Sequence, residues 1–444
     1  MSCLSLAYRT LLAGCIGLLA IVGPAIFAPE LALAQEVGGD APISQDVQFV
    51  FNTLLFLIAG MAVMFMVAGF CLLEVGLVRA QNAAMICVKT LNLFAVAGVM
   101  VWLTGYHLIY SIEPGGFLGE FKSWGASEDL RSESVSAYSG WFFQMVFVAV
   151  AALIVSGAVA ERVRLWPLLI FAAYLTGLVY PVAASWHWGQ GWLAARGFTD
   201  FAGATLVHAV GGWAALAGVL AIGPRTGRFD ASRPVPMPGS NLPLATLGTL
   251  ILWLGWFGFN GGAQLAMGTI EDAGAIAKIF VNTNMAACGG VLTTLLLTQF
   301  VYGKVDLTVI LNGVIGGLVS ITGDPLSPAI WQALLIGSIG GVLVTVAIQV
   351  LDRLKIDDVV GAIPAHLVCG LWGTLVVAWP NPTATVVAQI TGMGAISVFA
   401  FLMSYLGWTV LKYSIGLRVP VEAENMGLDR AELGLEAYPD FKLR

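Results

Sequence analysis

The chain has 444 residues, 58% of them hydrophobic and only 10% charged, with a mean hydropathy of +0.87. Soluble domains carry about 25% charged residues, so this composition excludes a soluble globular domain and points to an all-α polytopic membrane protein. The formal net charge of −6 decides little, because topology follows Lys and Arg placement rather than net charge, and nothing suggests nucleic-acid binding. The 53 glycines suit close helix–helix approach in a bilayer. Six cysteines stand singly, so neither a disulfide framework nor a zinc site is indicated.

In chain order, residues 1–34 read as a secretory signal peptide. Arg9 supplies the basic region, Leu11 to Leu19 the apolar core, and Ala32-Leu33-Ala34 the cleavage site. The rival reading of this stretch is an extra membrane helix, and Pro24 and Pro29 weigh against it. The membrane domain then runs over 35–412. Eleven spans are expected near 49–72, 91–111, 139–160, 165–184, 202–222, 243–262, 274–301, 305–322, 328–350, 359–380 and 384–412. With the mature N-terminus outside, Lys122, Arg131, Arg196 and Lys278 fall in outer loops and fifteen basic residues fall inside. That asymmetry supports an N-outside, C-inside protein of the cell (plasma or inner) membrane. The polar tail, 413–444, is then cytoplasmic.

Two stretches repeat one layout: DFAGATLVHAVGGW from Asp200 and DVVGAIPAHLVCGLW from Asp358. In each, a histidine, His208 or His366, follows the acid by eight residues, and a glycine, Gly212 or Gly370, follows the histidine by four. Eight helical residues advance about 12 Å, which sets both histidines near the middle of a bilayer core about 30 Å thick. The first of these helices runs inward and the second outward, and each is the fifth span of its half. The halves, about 49–222 and 243–380, therefore form a 5+5 inverted repeat, with the span near 384–412 as an unpaired addition. In such repeats the site lies at mid-membrane between the halves.

A lone histidine in a membrane helix is often a packing residue; two at matched positions of an inverted repeat suggest function, since ionisable groups are costly there. Two neutral imidazoles can share a hydrogen bond and still present ring edges to a passage. His107 and His187 fall near span ends, where interfacial placement explains them. Phe143 in WFFQMVF, Phe259 in GWFGFNGG and Trp188 in SWHWGQGW gather at the outer end of the path. They fit either an interfacial aromatic belt or a cation site on aromatic ring faces.

DFAGATLVH together with GWFGFNGG, GAVAER (157–162) and GLDRAELGLEAY (427–438) resembles the ammonium transporter family, the Amt/Mep/Rh group, over essentially the whole mature chain. The resemblance implies a homotrimer of eleven-helix subunits that moves ammonium or ammonia across a lipid bilayer without a cofactor or metal. By motif position it implies pore histidines at His208 and His366 and stacked gate phenylalanines at Phe143 and Phe259. It implies an ammonium site at Trp188, with Phe143 and position 263 beside it. Asp200 resembles the family's buried acid near that site, and Asp358 is its counterpart in the repeat. The chain departs at Ala263, where many members carry a serine, and at Leu433, where the tail often carries a histidine. The tail is expected to be regulatory, contacting neighbouring subunits and admitting a cytoplasmic PII-class protein.

Three rivals stand beside this reading. An intramembrane enzyme would need His208, His366 and an acid in one metal shell, and no HExxH or GxSxG segment is present. A pure ammonium sensor would be expected to carry an attached output domain. A gas channel for ammonia or carbon dioxide would have no use for an aromatic cation site.

Overall fold

The computed structural model describes residues 44–126, 134–230 and 233–439, and regular structure among them is helical throughout. The expected signal peptide and Arg131 lie outside the described residues. Among the described residues, nine helices are long and apolar enough to cross a bilayer: α1 (Gln45–Leu77), α2 (Ala80–Tyr110), α3 (Ala137–Ala158), α4 (Leu165–Ser185), α5 (Ala204–Ile222), α6 (Leu242–Gly262), α7 (Ile270–Tyr302), α9 (Ile330–Arg353) and α11 (Val386–Ser414). Two shorter apolar helices, α8 (Leu307–Ile321) and α10 (Ile363–Ala378), take the eighth and tenth of the eleven expected places. Short polar residues start several of them. Asn241 accepts from Leu244 N–H at α6, Thr269 from Asp272 N–H at α7, Asp306 from Thr308 and Val309 N–H at α8, and Thr385 from Ala388 N–H at α11.

The second span is expected to start near residue 91. The helix in fact begins a full two turns earlier, with Lys89 fully buried. Its first turn is held by the tail: Asp429 accepts from Ala84 N–H at 3.0 Å and Met85 N–H at 2.8 Å. The short tail helices α12 (Val421–Met426) and α13 (Leu428–Leu433) thus dock on the membrane domain of their own chain. Glu424 adds to this dock by accepting from Thr226 N–H and Oγ1 and from Arg418.

The basic residues counted for topology do structural work as well. Arg225 pairs with Asp357 at 2.9 Å and Glu161 at 3.3 Å, and Arg79 pairs with Glu161 at 2.6 Å, on the side of the molecule where the tail lies. Burial pushes the Asp357 carboxyl up, but its bonds to Arg225 and the nearby Arg162 charge outweigh that and hold it at about 2.

Equivalent helices of the two halves meet. α1 packs along α6, and α5 crosses α10, while α11 lies on α5 with Trp408 Nε1 donating to Ala214 O at 3.1 Å. The α5–α10 crossing is closest at two glycines. A Cβ on Gly212 would stand 2.7 Å from Leu367 N, and one on Gly370 would stand 2.4 Å from Ala204 O. Both neighbours are backbone and cannot swing aside. Gly370→Ala is expected to cost about 1–3 kcal/mol or more by overpacking, lowering the melting temperature of detergent-purified protein by several degrees. Gly394→Ala, with nothing within 4 Å of the added carbon, is the control and should melt as wild type; equal melting of both variants would contradict the crossing.

α8 has 15 residues, so it advances only about 22 Å and stops short of a full span. The incoming chain before α5 fills the space beyond its end: Phe201 N–H donates to Gly323 O at 2.8 Å and Ala202 N–H to Thr322 O at 3.1 Å. Irregular backbone at membrane depth is tolerated where protein satisfies its hydrogen bonds in this way.

Candidate functional site

α5 and α10 each open with a π-helical stretch, Ala204–Ala209 and Ile363–Val368, and each stretch holds one histidine. The acid before each stretch caps it. Asp200 Oδ1 accepts from Gly203 and Ala204 N–H (3.1 and 2.7 Å), and Oδ2 from Thr205 and Leu206 N–H (2.9 and 2.8 Å). Asp358 accepts from Gly361 N–H at 3.1 Å and Ile363 N–H at 2.7 Å. Each chain turns into its helix through a left-handed glycine three residues after the acid, Gly203 (φ 98) and Gly361 (φ 82). Acid, histidine and later glycine stand out in the sequence, whereas this D-x-x-G turn emerges only in the fold. The turn also corrects the expected eight residues of helix between acid and histidine: only the second half of that interval is helical, so each histidine sits in the opening turns of its helix. Burial pushes the Asp200 carboxyl up to about 6, against the four N–H donors that favour its charged form.

Because the two helices enter from opposite sides and cross, their histidines meet. His208 Nδ1 and His366 Nδ1 are 3.2 Å apart, with ring centroids at 5.2 Å and both rings buried. One ring donates and the other accepts, which requires at least one neutral imidazole. His208 Nε2 is buried and has no hydrogen-bond partner within the protein.

Around this pair the aromatic rings form a continuous file. Phe56 stacks on Phe143 at 5.0 Å, Phe143 contacts Phe147 at 4.8 Å, and Phe147 stacks on Phe259 at 4.0 Å. Phe259 contacts His208 at 5.3 Å, Trp256 stacks on His208 at 4.9 Å, and Phe70 lies 6.1 Å from His366. The expected stack of Phe143 on Phe259 is therefore not what forms. Phe147, one helical turn further along α3, is the ring on Phe259, and Phe143 lies above it against Gly262 and next in line to Ala263. The i,i+4 spacing of Phe143 and Phe147 on one helix face was the signal available in the sequence.

Trp188 stands at the mouth of the file, half-buried, edge-on to Phe147 at 6.1 Å, and its Nε1 donates to Asp200 O at 3.0 Å. Its neighbour His187 accepts from Asp200 N–H through Nε2 at 3.2 Å, and burial holds its imidazole down to about 4. His187 is thus part of the loop that positions Asp200, beyond the interfacial placement expected for it, whereas His107 simply bonds Ser111 Oγ at 2.7 Å.

On the tail side of His366 lies a small cavity lined by Phe70, Glu74, Asn312, Ile315, Val360 and His366 itself. Glu74 is buried there, accepting from Ser156 Oγ at 3.0 Å. Glu74 is not among the site residues expected from the sequence, although an acid inside an apolar run is itself a signal.

The sequence pattern of the Ammonium Transporter Family matches residues 54–438. Ammonium transporter Amt2 of Archaeoglobus fulgidus is 37% identical over 416 residues, 87% of this chain and 87% of that one. A solved structure named Sensor Amt Protein superposes with a TM-score of 0.83 at 33% identity, covering 88% of this chain and 100% of the other. Candida albicans Mep2 superposes at 0.76 with 28% identity, over 86% and 90% of the two chains. Fold, matched pattern and relatives agree: this multi-pass membrane protein belongs to the Ammonium Transporter Family, a family of transporters and not of enzymes.

Proposed function

We propose that each subunit carries ammonium across the membrane by binding the cation at Trp188 and Phe143, releasing its proton, and passing ammonia between Phe147 and Phe259 to the His208–His366 pair. The observation that carries this reading is the short Nδ1–Nδ1 contact in a buried aromatic file, with His208 Nε2 left unpartnered. Potassium and ammonium have similar size and charge, so size alone cannot separate them. Ammonium differs in having N–H donors and a removable proton. A ring face can attract the desolvated cation by about 2 kcal/mol or more, while an apolar constriction rejects any species that must stay charged. The neutral molecule then finds, at the imidazoles, polar atoms that the rest of the file withholds. Asp200 serves this arrangement by fixing the start of α5 and, through its carbonyl, the indole of Trp188; Asp358 holds the start of α10 in the same way. Phe147 replaces Phe143 as the partner of Phe259 in the gate, and Phe143 keeps its place in the cation site.

The same reading places Trp188 on the outer face, the tail in the cytoplasm, residues 1–34 as a cleaved leader, and three copies in the cell membrane, with the tail open to a PII-class partner. A second reading, a sensor, is favoured by the solved structure named Sensor Amt Protein. Uptake of labelled methylammonium into liposomes containing the purified chain separates the two: transport requires uptake above that of empty liposomes, and a pure sensor gives none.

A further inference from the structure

Gln389 lies one turn into α11, the helix outside the expected 5+5 repeat. It is fully buried, a costly place for an amide unless its polar groups are bonded. Oε1 accepts from Thr199 N–H at 2.9 Å, and Nε2 donates to Thr199 O at 2.7 Å and to Thr374 O at 2.8 Å. The amide thus grips both backbone groups of one loop residue, as a neighbouring strand would, and ties that residue to α10. Three residues further along the same face of α11 is Gly392, where an added Cβ would run into the Phe198 ring. α11 therefore receives Phe198 and Thr199 side by side. The next residue is Asp200. Its N–H donates to His187 Nε2, its carbonyl accepts from Trp188 Nε1, and its carboxylate caps α5. Thr205 Oγ1 of α5 shares a hydrogen bond with Thr374 Oγ1 of α10. Gln389, Thr199, Asp200, Thr205 and Thr374 close a buried polar ring that joins α11 to α5 and α10. Beyond satisfying buried backbone, the ring fixes the distance from α10, which carries His366, to the carbonyl that seats Trp188.

We propose that Gln389 is a positioning residue for cation binding: through Thr199 it fixes the Asp200 carbonyl on which the Trp188 indole rests, and so sets the mouth of the file in register with α10 and the histidine pair. This rests on the reading of Trp188 as the cation site. It gives α11 a part in recruiting the substrate, played through affinity and not through passage.

The experiment measures labelled methylammonium uptake against concentration in liposomes containing the full chain, with ammonium binding to the purified protein by calorimetry alongside. Gln389→Met keeps the length of the side chain and removes its hydrogen bonds. It should raise the half-saturating methylammonium concentration and the ammonium Kd about fivefold, a fraction of the roughly thirtyfold carried by a whole cation–π contact. Saturated uptake per folded protein should stay near the wild-type level. In a Trp188→Leu background the same change should add no further rise, because both act on one seat. A glutamine that only stabilised the fold would lower the melting temperature and saturated uptake and leave the half-saturating concentration alone. Gln389→Glu has the same shape, keeps the acceptor for Thr199 N–H and loses at least one of the two donors. It carries the test if Gln389→Met is not recovered folded, and its half-saturating concentration should also rise. An unchanged half-saturating concentration and Kd, an equal further rise in the Trp188→Leu background, or failure of both variants to fold overturns the proposal. Wild-type protein that binds ammonium but takes up no methylammonium would sink the transport reading and leave calorimetry on the same variants to decide this one.

Discussion

Replacing His208 or His366 with aspartate should open the passage to potassium. The two rings meet Nδ1 to Nδ1 at 3.2 Å within a buried shell of Trp256, Phe259 and Phe70, and neither needs to be charged to keep that bond. An aspartate is shorter, cannot restore the ring contact, and leaves a carboxylate in a site with no counter-charge. Such a group stabilises a passing cation instead of a neutral molecule. His208→Asp and His366→Asp are each expected to raise potassium current on the order of tenfold or more, while ammonium current is retained, because the cation no longer has to shed its proton. Current recordings on reconstituted protein under a potassium gradient check this. If both variants exclude potassium as wild type does, the histidines do not line the path.

The second large effect is expected at Trp188. Ammonium that leaves water at the mouth must find replacement solvation, and Ala263 offers no hydroxyl, which raises the share carried by the indole face and the Phe143 ring. A cation–π contact of about 2 kcal/mol corresponds to roughly thirtyfold in affinity. Trp188→Leu should weaken the half-saturating ammonium concentration by about tenfold or more. Because Trp188 Nε1 also bonds Asp200 O, Trp188→Phe is the informative companion: it loses that bond but keeps a ring face, and should retain most of the affinity. Ala263→Ser should tighten binding by about 0.5–1.5 kcal/mol for one added hydrogen bond. Its effect should not add to that of Trp188→Leu, since both act on one cation. An unchanged half-saturating concentration in Trp188→Leu would reduce the aromatic cluster to an interfacial belt.

The architecture was legible because its strongest signals are periodic or repeated. Apolar runs of span length marked the helices, and the acid-to-histidine spacing at Asp200 and Asp358 exposed the two halves before any contact was known. What escaped notice depends on three-dimensional partners. The second span starts earlier than residue 91, where Asp429 of the tail caps its first turn at Ala84 and Met85, a contact that a hydropathy window does not see. The docking of the loop at Phe201 and Ala202 on the end of α8, a helix expected over 305–322, is one such contact. The D-x-x-G turns and π-helical openings at Gly203 and Gly361 arise from capping geometry that residue spacing alone does not convey. The ring on Phe259 was assigned to Phe143 by motif position, while the actual contact at Phe147 is decided by how far α3 advances in one turn. His187 looked interfacial from its place in the chain, yet it bonds the backbone of the acid that starts α5.

The central claim, that ammonium crosses by losing its charge at a buried constriction, is tested most directly by flux into liposomes containing wild-type protein under matched gradients of labelled methylammonium and of potassium. The account predicts substrate-dependent, saturable transport with ammonium and none above empty liposomes with potassium. Equal fluxes of the two cations, or no methylammonium uptake above that of empty liposomes, would contradict it.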